Sequence, residues 1–140
     1  MDVMSATDVR KNWSVTLDTV IHEKPVYVKR TRDNLAILNL ETLSEILSGY
    51  KFKYRKYVED DNSVTLSSDD FDLVINAKDE QEAEQAFVVE IKEYAEDYYA
   101  HYATWSIAPN RKAHIPYVLK ALLLDESTIR EELICQDGKN

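Results

Sequence analysis

The side chains best suited to chemistry in this chain are its three histidines and a cluster of basic residues near the amino end. His22, His101 and His114 do not have the spacing of metal ligands, and no His-Glu-x-x-His motif or cysteine–histidine set accompanies them. Two glycines are too few for a glycine-rich phosphate-binding loop. We therefore predict that the chain is not an enzyme and has no catalytic site, metal site, cofactor or small-molecule substrate.

One enzymatic alternative stays open around the segment NRKAH. This segment brings Arg111 and His114 close together along the chain, and an arginine with neighbouring donors can bind a phosphate group. A small hydrolase or nuclease that uses His101, Arg111 and His114 follows from that interpretation. The competing interpretation is that NRKAH is only the loop that begins a helix.

The basic cluster lies in the stretch SATDVRKNW, where Arg10, Lys11 and Asn12 follow one another in an acidic protein of net charge −9. Residues 1–57 hold ten basic and seven acidic side chains, a net charge of +3. Residues 58–140 hold seven basic and nineteen acidic side chains, a net charge of −12. This segregation favours one anionic and one cationic partner, although acidic helices also serve solubility alone.

The first 24 residues predict a single amphipathic helix. Ser5 with Asp8 three residues later forms a helix-start signal. The helix is expected to end at Lys24 and Pro25, because the residue before proline avoids helical angles. Between these limits the apolar residues have the spacing of one buried face: Ala6, Val9, Trp13, Leu17, Val20 and Ile21.

A hairpin and a short helix are predicted next. PVYVKR and LAILNL read as two strands around the turn TRDN, in which Asp33 or Asn34 is expected to take a positive φ. ETLSEILS then predicts a short helix that ends near Gly49 and directs three apolar side chains inward: Leu43, Ile46 and Leu47.

The remaining residues predict a three-stranded antiparallel meander and C-terminal helices. KFKYRKYV, SVTLSS and FDLVIN read as strands; the alternation in the first places its rings on the core face, rather than forming a base-stacking platform. A long helix is expected from about Asp79 to Ala103, and shorter helices at 115–124 and 127–134. The apolar stripe of the long helix contains Ala83, Phe87, Ile91, Tyr94, Tyr98 and Tyr102. Cys135 reads as a small buried residue.

Together these patterns predict an α+β fold in two domains, residues 1–49 and 50–140. A domain of about 50 residues buries little surface and is commonly stabilised by oligomerisation, so we expect a homodimer through the N-terminal domain. No apolar run approaches the roughly 20 residues that span a bilayer, and no secretory signal pattern opens the chain. A single cysteine excludes an internal disulfide. These features favour a cytoplasmic protein with no membrane partner.

A combination of motifs in the first third of the chain is recognisable. It runs through a helix, a hairpin and a second helix, and consists of Ser5-Ala6-Thr7, Arg10, Asn12, Pro25-Val26 and Leu40-Glu41. This order resembles the N-terminal α/β domain of Phd/YefM-type antitoxins from bacterial type II toxin–antitoxin pairs. The chain departs from that pattern in having Trp13 in place of the usual leucine and a turn without glycine. Its folded C-terminal part resembles, more loosely, an extra domain of some Phd-like antitoxins.

The resemblance implies an antitoxin that neutralises a cognate toxin and represses its own promoter as a dimer on a palindromic DNA operator. Arginine suits guanine edges and lysine suits phosphates. The expected DNA contacts are Ser5, Thr7, Arg10, Lys11, Asn12, Lys29, Arg30 and Arg32. Many toxins of such pairs are basic ribonucleases, so the candidate toxin contacts are acidic residues of the long helix: Glu82, Glu90, Glu93 and Asp97. A non-enzymatic rival is a dimeric interaction module that binds no DNA.

Overall fold

The computed structural model describes residues 2–136 and divides the chain into two compact units. Unit 1 is Met1–Ile46 and unit 2 is Leu47–Asn140. The sequence had placed this boundary after residue 49. The fold is mixed α+β, as predicted, with one sheet in each unit.

Unit 1 is built around a three-stranded sheet. Its elements are strand β1 (Val3–Ser5), helices α1 (Ala6–Lys11) and α2 (Trp13–His22), strands β2 (Val26–Arg30) and β3 (Asp33–Ile37), and the start of helix α3 (Leu40–Leu47). The strand order is β1-β2-β3, with β1 parallel and β3 antiparallel to β2. The sequence pattern did not predict β1. The buried apolar core consists of four valines: Val9, Val20, Val26 and Val28.

The predicted single N-terminal helix is two helices. Asn12 has φ −116° and ψ 39°, outside the helical region, and its backbone N–H donates to the carbonyl of Asp8, which ends α1. Because the break changes the phase of the apolar pattern, the stripe is not buried throughout. Trp13 is 50% exposed and Ile21 is 57% exposed, so the prediction of burial is wrong at both residues.

The hairpin has its turn earlier than predicted. Thr31 takes the positive φ, 55°, whereas Asp33 and Asn34 are strand residues paired with the end of β2. A β-branched residue rarely adopts a positive φ. We attribute this conformation to the register of the strands, which leaves only Thr31 and Arg32 between the paired residues.

Helix α3 begins one residue earlier than predicted, at Leu40 rather than Glu41. Asn39 accepts a hydrogen bond from the backbone N–H of Thr42 at 2.8 Å, which is the arrangement of a helix N-cap. Because Asn39 caps the helix, the preceding strand is shorter than predicted and ends at Ile37. Leu47 is buried, but Ile46 is 62% exposed, which corrects the prediction that it points inward.

Unit 2 contains the predicted antiparallel meander, with strands β4 (Lys53–Val58), β5 (Val64–Ser68) and β6 (Leu73–Ala77). Its helices are α4 (Glu80–Ala100), α5 (Tyr102–Trp105), α6 (Ile115–Leu123) and α7 (Glu126–Glu132), with a 3₁₀ turn at Lys112–His114. An unpredicted strand, β7 (Ile134–Gln136), pairs parallel to β4, so the sheet order is β6-β5-β4-β7. Cys135 lies in β7 and is exposed, which corrects its predicted burial.

The core of unit 2 lies between one face of this sheet and the helices. Phe52 and Tyr54 of the alternating KFKYRKYV segment are buried, as expected of a strand with one face in the core. Phe87, Ile91 and Tyr98 of α4 are at most 1% exposed and belong to the same cluster. This packing fixes the orientation of α4, whose opposite side carries acidic residues.

Candidate functional site

Most of the predicted DNA-contacting residues of unit 1 meet around a single pocket of about 550 Å³. The parallel pairing of β1 with β2 places Ser5 opposite Lys29, beside the start of α1. Arg10 approaches from α1, and Arg30 and Thr31 from the end of β2 and its turn. The full lining is Ser5, Ala6, Thr7, Arg10, Lys29, Arg30 and Thr31. The pocket therefore depends on β1, which the sequence pattern did not predict, and on the positive φ of Thr31, which the sequence pattern had assigned to Asp33 or Asn34.

The basic side chains in and around this pocket are exposed and lack carboxylate partners. Among residues 2–136, no ion pair involves any of these five cations: Arg10, Lys11, Lys29, Arg30 and Arg32. With no such partner, their charge is available to a polyanion in solution. Unit 1 as a whole is close to neutral, with six basic and seven acidic residues, so the cationic character is local.

The difference in net charge between the two parts of the chain is smaller when the chain is divided at the structural boundary. Lys51, Lys53, Arg55 and Lys56 raised the net charge of the first 57 residues, but they belong to unit 2. Unit 2 then has eleven basic and nineteen acidic residues, a net charge of −8. Basic and acidic side chains are therefore separated by the surface on which they lie, and not by the half of the sequence to which they belong.

Three of the predicted contacts lie outside the lining of the pocket. Lys11, the last residue of α1, and Arg32, in the turn of the hairpin, are exposed, and the side-chain amide of Asn12 donates to the carbonyl of Asp8 at 3.1 Å. Ser5 accepts the backbone N–H of Asp8 at 3.1 Å and is the N-cap of α1. The Ser5 hydroxyl therefore has a structural function as well as its place in the pocket.

A second pocket of unit 1 is apolar and adjoins the basic one through Arg10 and Ala6. It has a volume of about 510 Å³ and is lined by Ala6, Val9, Arg10, Trp13, Val28, Leu35 and Ile37. Trp13 is 50% exposed and Leu35 is 53% exposed at its rim. Large apolar side chains gathered in this way are typical of a surface that another protein covers.

The acidic residues of α4 differ in their surroundings. Glu82 forms an ion pair with Lys78 at 3.0 Å, and Glu90 is half-buried. Glu93 and Asp97 are exposed, and neither has an ion-pair partner within the described part of the chain. Glu96 shares this exposed side and was not among the predicted contacts. The anionic surface is thus concentrated in the C-terminal half of α4.

The residues of the enzymatic alternative belong to an aromatic cluster. His114 is 7% exposed, its Nδ1 lies 2.6 Å from the hydroxyl oxygen of Tyr94, and burial lowers the pKa of its imidazole. The guanidinium carbon of Arg111 lies 3.7 Å from the ring centroid of Trp105, against which His101 is also stacked. These contacts favour a packing function for all three side chains.

In the described residues 2–136, no group of three or more His, Cys, Asp or Glu side chains is arranged to hold a metal ion. No helix within the same range is long and apolar enough to cross a membrane.

Comparison with known proteins identifies the family. Residues 1–135 match the family model described as "PHD_like: Antitoxin of toxin-antitoxin, RelE / RelB, TA system". The chain belongs to this family of antitoxins. The match includes both units of the antitoxin, whereas the sequence resemblance was specific only in the first third.

A solved structure supports the same assignment. The antitoxin is similar to a chain from Syntrophomonas wolfei subsp. wolfei, whose crystal structure is described as the antitoxin part of a proposed toxin/antitoxin system. The two are 34% identical with a TM-score of 0.91, over 98% of this chain and 99% of that chain. None of the curated proteins matches the antitoxin.

Proposed function

We propose that this antitoxin, of the Phd/YefM type, represses its own promoter as a dimer and neutralises a basic ribonuclease toxin. The single observation that carries the DNA-binding part is the group of exposed cations without carboxylate partners around the pocket of unit 1. Such a group destabilises a protein by self-repulsion unless a polyanion binds there. Arg10 and Arg30 suit base edges or phosphates, and Lys29 suits phosphate.

The dimer is supported by the apolar pocket beside these cations. Covering Trp13 and Leu35 with a second copy would bury apolar surface that a four-valine core leaves in water. A two-fold axis through this region would present two basic pockets to one duplex, as a palindromic operator requires. Replacing Trp13 and Leu35 by serine should convert the dimer to a monomer in sedimentation equilibrium. A wild-type chain that is monomeric at micromolar concentration would contradict the proposal.

DNA binding is tested by gel mobility shift with the duplex upstream of the antitoxin gene. The double variant Arg10→Ala, Lys11→Ala should abolish the shift, because it removes two cations from each protomer. Lys24→Ala with Lys112→Ala removes the same charge from exposed positions outside the pocket and should retain the shift. Wild-type affinity should fall steeply as salt rises, and a salt-independent shift would contradict the proposed contacts.

Neutralisation of a toxin is supported by the anionic side of α4 and by the antitoxin family itself. A carboxylate-rich helix would be steered towards a basic ribonuclease and could cover its RNA-binding groove. The product of the adjacent open reading frame should arrest growth and cleave RNA when expressed alone. Co-expression of the antitoxin should relieve both effects, and arrest without RNA cleavage would exclude the ribonuclease.

A further inference from the structure

We infer that the outer edge of β6 in unit 2 binds an extended segment of the toxin as an added strand. The toxin segment carries basic residues that lie beyond the Leu73 end of β6. Within residues 2–136, β6 pairs only with β5, so its other edge has no strand partner. The sequence of β6, LVINA, contains neither proline nor a charged residue, the usual features that protect a sheet edge. Val74 is 65% exposed. This inference rests on the proposed neutralisation of a toxin.

The packing of α4 shows which acidic residues overlook this edge. Lys92 of α4 donates to the carbonyls of Ala121 and Leu124 at the end of α6, and Gln85 contacts Arg130 of α7. These residues define one flank of α4. The opposite flank, at the 3.6-residue helical repeat, contains Ala86, Glu90, Glu93 and Asp97.

The opposite flank lies on the side of β6. The hydroxyl of Tyr54, on β4, donates to Glu84, which pairs with Arg130 of α7, so the α7 side of α4 is also the β4 side. Helix α4 packs against β5 and β6. Since β6 is the edge strand beyond β5, the flank that carries Glu90, Glu93 and Asp97 faces the free edge.

The charges gather at one end of β6. The rings of Tyr94 and Phe71 are in contact, with centroids 6.1 Å apart, which places the middle of α4 level with the loop before β6. Asp70 and Asp72 lie in that loop, so they share the Leu73 end of the strand with Glu90, Glu93 and Asp97. A bound segment therefore needs apolar or β-branched residues along β6 and lysines or arginines past Leu73.

The same charges argue against a second copy of the chain at this edge. Antiparallel pairing of two β6 strands would bring the acidic Leu73 end of each to the Ala77 end of the other. The residue that follows β6 in the chain is Lys78, which already pairs with Glu82, and the acidic Asp79 comes next. The bound segment is therefore from a different, basic protein.

Amide hydrogen exchange of the full-length antitoxin, free and with the product of the adjacent open reading frame, tests the inference. An added strand protects the alternate amides of β6 that face outward, and these should exchange at least about tenfold more slowly in the complex. Binding without protection in β6 would overturn the edge site and leave neutralisation standing. Absence of any binding would overturn both, and protection that rises with antitoxin concentration alone would assign the edge to self-association.

A matched pair of variants gives an independent readout by calorimetry. Val74→Lys places a charge on the edge strand, whereas Ser67→Lys places it on the same face one strand further in, directly opposite Val74. Val74→Lys should weaken binding of the product of the adjacent open reading frame by about tenfold or more, and Ser67→Lys should weaken it by much less. Equal weakening by both would overturn the edge site. Circular dichroism melting verifies that each variant is folded.

Discussion

Unit 1 and unit 2 of this antitoxin differ in what surrounds their basic side chains. In unit 1, Arg10, Lys29 and Arg30 are exposed and have no carboxylate partner in the described residues. In unit 2, Arg55 pairs with Asp69 at 2.9 Å and Lys120 pairs with Glu132 at 3.1 Å. The paired cations of unit 2 contribute to its folded structure. The cations of unit 1 have no comparable function within the chain, which is why their grouping supports a function outside it.

The units also differ in the size of their cores. Unit 2 has a cluster of fourteen buried residues, five of them aromatic, and unit 1 has four valines. A small core leaves large apolar residues such as Trp13 exposed and makes a partner important for stability. We expect unit 2, with its larger core, to depend less on a partner for its stability.

The largest expected effect is in the core of unit 2. Phe87→Ala removes a side chain that is 0% exposed and should cost about 3–5 kcal/mol in the free energy of unfolding. Val28→Ala in unit 1 removes fewer atoms and should cost about 2 kcal/mol. Urea unfolding followed by tryptophan fluorescence measures both changes.

Each unit contains one tryptophan, which allows the two to be followed separately. A Trp105→Phe background reports on Trp13 in unit 1, and a Trp13→Phe background reports on unit 2. Phe87→Ala should shift the Trp105 signal. An equal shift of the Trp13 signal would show that the two units unfold together and would weaken the comparison of separate cores.

The second prediction contrasts a paired with an unpaired lysine. Lys120 is buried and donates to the carbonyl of Tyr50 at 2.7 Å and to Glu132. Lys120→Ala should destabilise unit 2 by about 2–3 kcal/mol, because it leaves a buried carbonyl and a carboxylate without their donor. Lys29→Ala should change the free energy of unfolding by less than about 0.5 kcal/mol. A comparable loss for Lys29 would mean that it has a structural function.

The third prediction concerns the pH dependence of unit 2. Burial lowers the pKa of His114, with a smaller lowering from Arg111 that Asp70 and Asp72 oppose. The unfolded chain therefore binds the proton more readily than the folded chain. The contribution of His114 to the stability of the folded state is fully present above the ordinary histidine pKa of about 6.5. This contribution is lost as the pH falls from there towards the lowered pKa.

This dependence can be measured as the Tm of unit 2 between pH 7.5 and pH 5. The wild type should lose stability over that range, and His114→Gln, which cannot titrate, should lose less. The His114→Gln variant also tests the enzymatic alternative. If His114 serves only in packing, this substitution should not abolish hydrolase or nuclease turnover. Turnover that depends on His114, His101 and Arg111 together would restore the hydrolase interpretation.

The smallest expected effect is on a surface ion pair. Arg55 donates a hydrogen bond to Asp69, which raises the pKa of its guanidinium, but the side chain of Arg55 is partly exposed and that of Asp69 is exposed. Arg55→Ala should lower the Tm slightly at low salt and not at high salt. Arg30→Ala should leave the Tm unchanged or raise it, because it relieves repulsion among unpaired cations. A clear loss of stability in Arg30→Ala would remove the contrast between the units.

Much of the fold follows from local sequence patterns. The meander was predicted because Phe52 and Tyr54 alternate with polar residues, and α4 because Phe87, Ile91 and Tyr98 recur at helical spacing. Each of these patterns directly indicates which face of the strand or helix is buried. The cap at Ser5 was predicted for the same kind of reason, since its partner Asp8 is three residues away.

The errors arise where distant residues decide the local structure. Strand β7 has three residues and no periodicity, and it exists because Ile134 donates its N–H to the carbonyl of Phe52, 82 positions earlier in the chain. Thr31 has a positive φ because the pairing of β2 with β3 leaves two residues for the turn. Trp13 is exposed because Asn12 interrupts the helix, although its spacing is that of a buried residue.

By itself, the sequence determined the α+β class, the meander, the long acidic helix and the motifs that resemble an antitoxin, because each depends on residues close together in the chain. The tertiary structure decided which basic residues share a pocket, which carboxylates stay unpaired and which strand edge is free. These properties depend on the pairing of β1 with β2 and on the packing of α4, contacts between residues far apart in sequence.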